Sequence, residues 1–267
     1  MSDHKDEISA EPELAPELAV VVPVHNEADN VASLIGEIRA ALDDVYDYEI
    51  VYVDDCSDDD TPAALDEIAS GFERLRVLRH LKRAGQSAAI STGIWAARGA
   101  IIATLDGDGQ NDPADIPALV EKLRRSVHPE RLLVAGRRAK RRDTVTKRLS
   151  SRIANGVRRG LLGDGTPDTG CGLKVFSRAA FVAMPGFDHM HRFLPALMLR
   201  QGGRVTSVEV NHRHRAAGKT KYGVFDRLWV GITDILGVMW LQRRSIAVEA
   251  DETAEQGNEA SLRGNED

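Results

Sequence analysis

Only two cysteines occur in the 267 residues, Cys56 and Cys171. That excludes a disulfide scaffold and is what reduced thiols of a cytoplasmic chain look like. Aromatic residues are few, at 5%, yet 42% of the chain is apolar. That is enough for one large domain or two small ones, and it excludes a fibrous or wholly disordered chain. No run of about 18 uninterrupted apolar residues exists, so no ordinary transmembrane helix is expected. The first residues, "MSDHKDEISAEPELAPEL", contain no apolar core of a signal peptide. These absences together lead to the expectation of a cytoplasmic chain without a membrane span.

Charge is present but unevenly placed. The formal net charge is -6. Residues 1–18 hold six acids and one Lys, and residues 249–267 hold seven acids and one Arg. Both ends read as disordered acidic tails, bounded at 1–17 and 247–267. Between them, residues 122–159 hold fourteen Lys or Arg against two acids. This block reads as a surface for phosphates or anionic lipid, with a solvated helix face as the plain alternative and no nucleic-acid partner expected.

Five short apolar, β-branched runs read as buried strands: Leu18–Val24, Tyr48–Asp55, Leu75–His80, Ala100–Asp106 and Arg131–Gly136. Helical patterns lie between them. Val31, Leu34, Ile35, Ile38 and Leu42 recur at three- to four-residue spacing. Thr61-Pro62 suggests an N-cap followed by proline, and "SAAISTGIWAARG" ends on Gly99, a helix-stop residue. Alternation of this kind predicts an α/β fold: a doubly wound, mostly parallel sheet with helices on both faces.

Ligands of such sheets bind beyond the carboxyl ends of the strands. Three acidic loops fall there: "PVHNEAD", "VDDCSDDD" and "LDGDGQND". In the last, Asp106 and Asp108 share a face if the backbone stays extended. With Gln110 they make an all-oxygen donor set suited to Mg2+ or Mn2+, which would hold a substrate diphosphate. Gly107 and Gly109 would let a bulky ligand approach the backbone. A polar turn closed by Asx-type hydrogen bonds is the plain alternative.

The pieces "VVPVHNEADNV", "YVDDCSDDDT", "AGQSAAISTG", "LDGDGQNDP", "AGRR", "KRLSSRIAN", "DTGCGLKVFSR" and "RAAGKTKYG" occur in order between Leu18 and Gly223. In this the chain resembles a family 2 glycosyltransferase of GT-A fold, and within that family the polyprenyl-phosphate sugar synthases such as dolichol-phosphate mannosyltransferase. The resemblance implies a glycosyltransferase domain over residues 18–223. It assigns Pro23, His25 and Glu27 to a nucleotide-contacting loop, and Asp54 and Asp55 to base or ribose recognition. Gly85 and Gln86 would line the same pocket. Asp106, Asp108 and Gln110 would serve the metal and diphosphate. Arg137, Lys147, Arg148 and Ser151 would grip the acceptor phosphate, and Arg215 and Lys221 would close that site. Asp168 and Gly172 would belong to a loop over the active centre. Asp106, Asp108, Arg137 and Asp168 are thus the expected catalytic set.

The implied reaction moves a sugar from a GDP- or UDP-linked donor to a polyprenyl phosphate, with inversion, for cell-envelope glycan or lipid A modification. The chemistry fits the residues. A lipid phosphate is largely ionised near neutral pH and needs no strong base. It needs cations to hold it against the donor diphosphate, and Arg forks suit that task. The alternatives are a family 2 transferase acting on a hydroxyl, with Asp168 as its base, and a non-catalytic nucleotide-binding scaffold. Sugar, base and oligomeric state are left open by the sequence.

Several conspicuous residues read plainly. The histidines of "DHMHRF" and "NHRHR" lack the further ligands of a zinc site. Cys56 and Cys171 read as small loop residues, Asp58 to Asp60 as helix caps, and Gly163–Gly165 as a turn. The segment "VFDRLWVGITDILGVMWLQRR" differs. It is apolar, with Trp229 and Trp240 near its ends, and is interrupted by Asp226 and Asp234. It reads as an amphipathic membrane-interface segment, 224–246, giving peripheral attachment at the cytoplasmic membrane face. A helix packed on the sheet, or a protein–protein contact, is the alternative.

Overall fold

The computed structural model describes residues 15–138, 156, 160–213 and 224–244. The five expected strands are present as β1 (Leu18–Val24), β2 (Tyr48–Asp54), β3 (Leu75–Arg79), β4 (Ile101–Thr104) and β5 (Leu132–Arg138). Two more complete the sheet, β6 (Lys174–Ser177) and β7 (Arg204–Val210). Seven strands run in the order β3-β2-β1-β4-β6-β5-β7. All pairings are parallel except those of β6, which is antiparallel to both β4 and β5.

The two unanticipated strands carry weak local signals. β6 is four residues long, too short for a period to show. β7 has one neighbour in the sheet and keeps polar Thr206 and Ser207 half-buried.

Side-chain alternation along the strands makes two apolar layers. Val20, Val22, Ile50 and Tyr52 face the helices α1 (Ala28–Leu42), α2 (Thr61–Ala69) and α4 (Ile116–Arg124). Val21, Val51 and Val53 face α3 (Gln86–Ala96), α5 (Arg178–Val182) and α6 (Leu194–Arg200). The expected stripe of α1, Val31 to Leu42, is fully buried. Each such aliphatic side chain contributes about 1.5–3 kcal/mol.

Local expectations change at three places. α3 ends at Ala96, before Gly99. A Cβ on Gly99 would stand 2.7 Å from the backbone nitrogen of Ala19, so close strand approach, and not a helix stop, demands glycine there. Thr61 is the first helical residue, preceded by Asp60, and its hydroxyl accepts from the Glu27 amide at 2.9 Å. Glu17, assigned to the N-terminal tail, donates its N–H to Asp47 at 3.1 Å and pairs with Arg124. The remaining acidic tails lie outside the described residues.

The apolar C-terminal segment is one 20-residue helix, α7 (Val224–Arg243). Among the described residues no helix is long and apolar enough to cross a membrane. Its second half is docked on the domain. Val238 is buried in the α3–α6 layer. Arg200 donates to the Leu241 carbonyl at 2.8 Å, and Gln242 to that of Leu162 at 2.9 Å. The boundary at residue 223 therefore does not separate two packing units.

Candidate active site

β1, β2 and β4 are parallel, so their three acidic loops leave the sheet at the same end. The first two loops are stitched together. The Asn26 amide donates to the Ser57 hydroxyl at 2.9 Å, and the Asp58 amide to Asn26 Oδ1 at 3.0 Å. Asp59 accepts from the amides of Thr61 and Ala28, at the starts of α2 and α1, which bears out a capping role within Asp58–Asp60. Pro23 is buried, His25 and Glu27 are half-buried, and Glu27 accepts from Asn30 at 2.7 Å. Asp54 accepts from the Ser57 amide and hydroxyl.

Asp55 builds the next wall. It accepts from His80 Nδ1 at 2.7 Å and from the amides of Ala84 and Gly85, each at 2.8 Å. Burial pushes its pKa up, but these hydrogen bonds outweigh it and hold the carboxyl below its ordinary range. The structure thus uses Asp55 to shape the Gly85 loop. Gly85 has φ +91, open to glycine, and starts α3. Gln86 follows, and its amide donates to Asp106 Oδ1 at 2.8 Å.

Asp106 is the centre of the arrangement. Burial raises its pKa to about 6, and the charge of Asp108 adds to the rise. Lys174, Arg138 and the Gln86 hydrogen bond pull the other way. Asp108 Oδ1 accepts from the Gln110 amide at 3.1 Å, an Asx turn, so the plain alternative describes one oxygen of this residue. The glycines act differently from expectation. A Cβ on Gly107 would lie 2.4 Å from Val24 Cγ1, so this glycine admits the end of β1 and not a ligand. Gly109 has φ +69 and closes the turn. A Cβ on Gly172 would lie 2.2 Å from Asp106 Oδ2, so Gly172 makes room for that carboxylate.

The other side of Asp106 is cationic. Lys174 is fully buried and donates to the Cys171 carbonyl. Burial lowers its pKa, while Cys171 and Asp106 act to raise it. Arg138 clamps Asp168 in a bidentate pair, with Nε at 2.6 Å and Nη2 at 2.7 Å. Arg137, adjacent on β5, points to the other face and pairs with Glu209 at 3.0 Å. Of these two arginines, it is Arg138 whose charge acts on Asp106. Cys171 is buried with its thiol pKa raised by burial, as suits a packing residue.

Gln86, Asp106, Cys171, Lys174, His191 and Asp234 are among the walls of a cavity of about 390 Å³. Burial, with Arg192 and Lys174 nearby, lowers the His191 pKa to about 3. Its neutral ring meets the Ser87 hydroxyl at 2.7 Å from Nδ1. Lys174, Arg138 and His191 were not singled out as site residues. Lys174 and Arg138 lie within quoted motifs, but only the folded chain gives their direction. Lys147, Arg148, Ser151, Arg215 and Lys221 lie outside the described residues. Arg213, just before the last two, pairs with Glu37 and Asp112 and donates its amide to the Gln110 carbonyl at 2.9 Å.

Among the described residues no three His, Cys, Asp or Glu side chains converge as a metal cage. The donor set is instead the two carboxylates Asp106 and Asp108. Burial first, and then the neighbouring Asp108 charge, raise the Asp106 pKa, and such a pair of oxygen donors fits a hard divalent cation.

A mostly parallel sheet with paired acids past its fourth strand is an α/β scaffold with an acidic site beyond the carboxyl ends of its strands. The family model "Glycosyl transferase family 2" matches residues 19–183, and the chain belongs to that family. It is 35% identical, over 85% of its length and 68% of the relative's, to a dodecaprenyl-phosphate galacturonate synthase of Rhizobium johnstonii. It is 34% identical, over 78% of its length and 63% of the relative's, to an undecaprenyl-phosphate 4-deoxy-4-formamido-L-arabinose transferase of Edwardsiella ictaluri. The chain thus spans roughly two thirds of these relatives. In fold it is similar to glucosyl-3-phosphoglycerate synthase of Mycobacterium tuberculosis, solved with Mn2+ and UDP: TM-score 0.61, 20% identity, 85% of this chain and 80% of that one. A mannosyltransferase of Pyrobaculum calidifontis, solved with GDP-mannose and Mn2+, matches at TM-score 0.58 and 20% identity, over 91% and 68%. The fold is that of the GT-A glycosyltransferases.

Proposed function

We propose that this chain transfers a sugar from a nucleotide sugar to a polyprenyl phosphate at a membrane surface. The observation that carries the reading is the double use of α7. Gly231, Asp234 and Ile235 line the cavity that holds Asp106. Ile232, Leu236 and Trp240, four residues apart, form an exposed apolar stripe on the other side of the same helix. A site walled by a helix with an apolar outer face suits an acceptor whose phosphate enters the cavity while its chain stays in lipid. The names of the relatives, polyprenyl-phosphate transferases, support the same substrate class.

Roles follow from position. Asp106 and Asp108 would hold Mg2+ or Mn2+ on a UDP or GDP diphosphate, and the ion would supply charge stabilisation of the leaving group. Gln86 orients Asp106. Pro23, His25, Glu27, Asp54 and the Gly85 loop shaped by Asp55 would bound the nucleotide. Lys174 and Arg138 place positive charge beside the carboxylates. Arg137, with Lys147, Arg148, Ser151, Arg215 and Lys221, would receive the acceptor phosphate, Arg137 exchanging Glu209 for it. The ionised phosphate is itself the nucleophile, and in-line attack would invert the anomeric carbon. A hydroxyl acceptor would require a free base, and the candidate Asp168 is held by Arg138.

The test is incubation of the purified chain with a panel of UDP- and GDP-sugars, Mg2+ or Mn2+, and undecaprenyl or dodecaprenyl phosphate in vesicles. A lipid-linked product is expected. Transfer only to soluble hydroxyl acceptors would overturn the reading.

A further inference from the structure

Three features have no part in that chemistry: the histidines of "DHMHRF", the backbone of His189, and an acid inside the apolar run of α7. They meet in space. His189 Nδ1 lies 3.2 Å from Asp234 Oδ2, and Asp234 is itself one of the α7 residues that line the cavity. His189 has φ +62, a left-handed conformation that a non-glycine residue adopts only where its surroundings enforce it. Its amide donates to Asp188 Oδ1 at 2.7 Å. Two residues on, the His191 amide donates to Ser87 Oγ at 3.2 Å, and the His191 ring meets the same hydroxyl. Ser87 belongs to the first turn of α3, next to Gln86, which holds Asp106. Between the two histidines, Met190 is 3% exposed and anchors the turn in the core.

We propose that His189 and Asp234 are a positioning pair. They seat α7 as a wall of the cavity that holds Asp106, and the turn Asp188–Arg192 ties that seat to the Ser87 end of the nucleotide loop. Asp234 then has a reason to interrupt an apolar helix. It is the polar anchor that fixes the helix's rotation, with Gly231 and Ile235 toward the cavity and the Ile232–Leu236–Trp240 stripe outward. Without the anchor the helix keeps Val238 in the core and the Arg200 and Gln242 contacts at its C-terminal end, and the stretch around Gly231 and Ile235 loses its polar tie. In kinetic terms the proposal rests on the lipid-phosphate reading. In structural terms it does not.

The experiment compares wild type with His189→Asn, Asp234→Ala and the double variant. Asn tolerates the left-handed backbone and Ala suits a helix, so folding should survive. Hydrogen exchange over residues 231–243 should quicken about three- to ten-fold in each single variant, the size expected for one lost polar contact, and no further in the double. α1 should be unchanged. Asp234→Asn, which keeps an acceptor oxygen, should retain most of the protection. The KM for nucleotide sugar should rise by a similar factor while kcat stays within about two-fold. Unchanged exchange in α7, or fully additive effects in the double variant, would overturn the pairing. Exchange needs no turnover, so a wild-type protein inactive on polyprenyl phosphate would overturn the functional reading and leave the exchange result to decide the pair.

Discussion

The donor side and the acceptor side of this site are held in different ways. On the donor side, from β1 to β4, the polar loops are closed on one another by short hydrogen bonds. Asp55 satisfies two amides and a histidine, and Asp59 caps two helices. On the acceptor side, past β5, order comes from a few strong contacts: Arg138 on Asp168, Arg200 and Gln242 on helix carbonyls, His189 on Asp234. Under the proposed function the densely stitched region would bind the nucleotide diphosphate, and the sparsely anchored one would accept a long lipid.

The largest effect should come from the donor side. Asp108→Asn is expected to lower kcat about 10²–10³-fold or more with little change in Tm, by analogy with loss of a charge-stabilising group. Excess EDTA should do the same to wild type. Full activity in either case removes the metal from the reading. The pH dependence sharpens it. Asp106 keeps its proton up to about 6 in the fold, so Mn2+ affinity by calorimetry should climb from pH 5 to 7 and then level. The sign for stability is opposite. The native state binds this proton more tightly than the unfolded chain does, so without metal Asp106 costs stability as pH rises from about 4 to 6. Asp106→Asn should flatten that fall in thermal melts.

Gly172→Ala tests the space around the same carboxylate. The new methyl would sit where Asp106 now is, so activity should fall about 100-fold while the sheet survives. Near-normal turnover would mean that Asp106 moves freely.

The two arginines of β5 should separate. Arg138→Ala takes the bidentate guanidinium away from the buried Asp168 and is expected to destabilise by about 1.5–3 kcal/mol in denaturant melts. Arg137→Ala removes a half-exposed surface pair worth about 0–1 kcal/mol and should raise the KM for acceptor with donor affinity intact. Equal losses of stability would show that the pair with Glu209 is also structural.

The smallest effect on the chemistry, and the largest on location, should come from Leu236→Ser with Trp240→Ser. Co-sedimentation with anionic liposomes should drop, and turnover should fall more on long-chain acceptor in vesicles than on a short soluble analogue. Equal losses on both acceptors with liposome binding unchanged would assign the stripe to a protein partner.

Strand alternation, the α1 stripe and the three acidic loops were legible in the sequence because each is a local pattern: a period of two, a period near 3.6, and polar clusters after apolar runs. Those patterns fix the scaffold and bring Asp106 and Asp108 to its edge. Tertiary structure decided the rest, because it depends on direction and distance between segments far apart in sequence. β6 is four residues whose reversed course is set by its neighbours β4 and β5. Arg137 and Arg138 differ only by the alternation of one strand. Gly99, Gly107 and Gly172 are glycine because other chain segments come within 3 Å of where a Cβ would stand. Asp234 and His189 are 45 residues apart, and neither has a meaning until the fold brings α7 over the cavity.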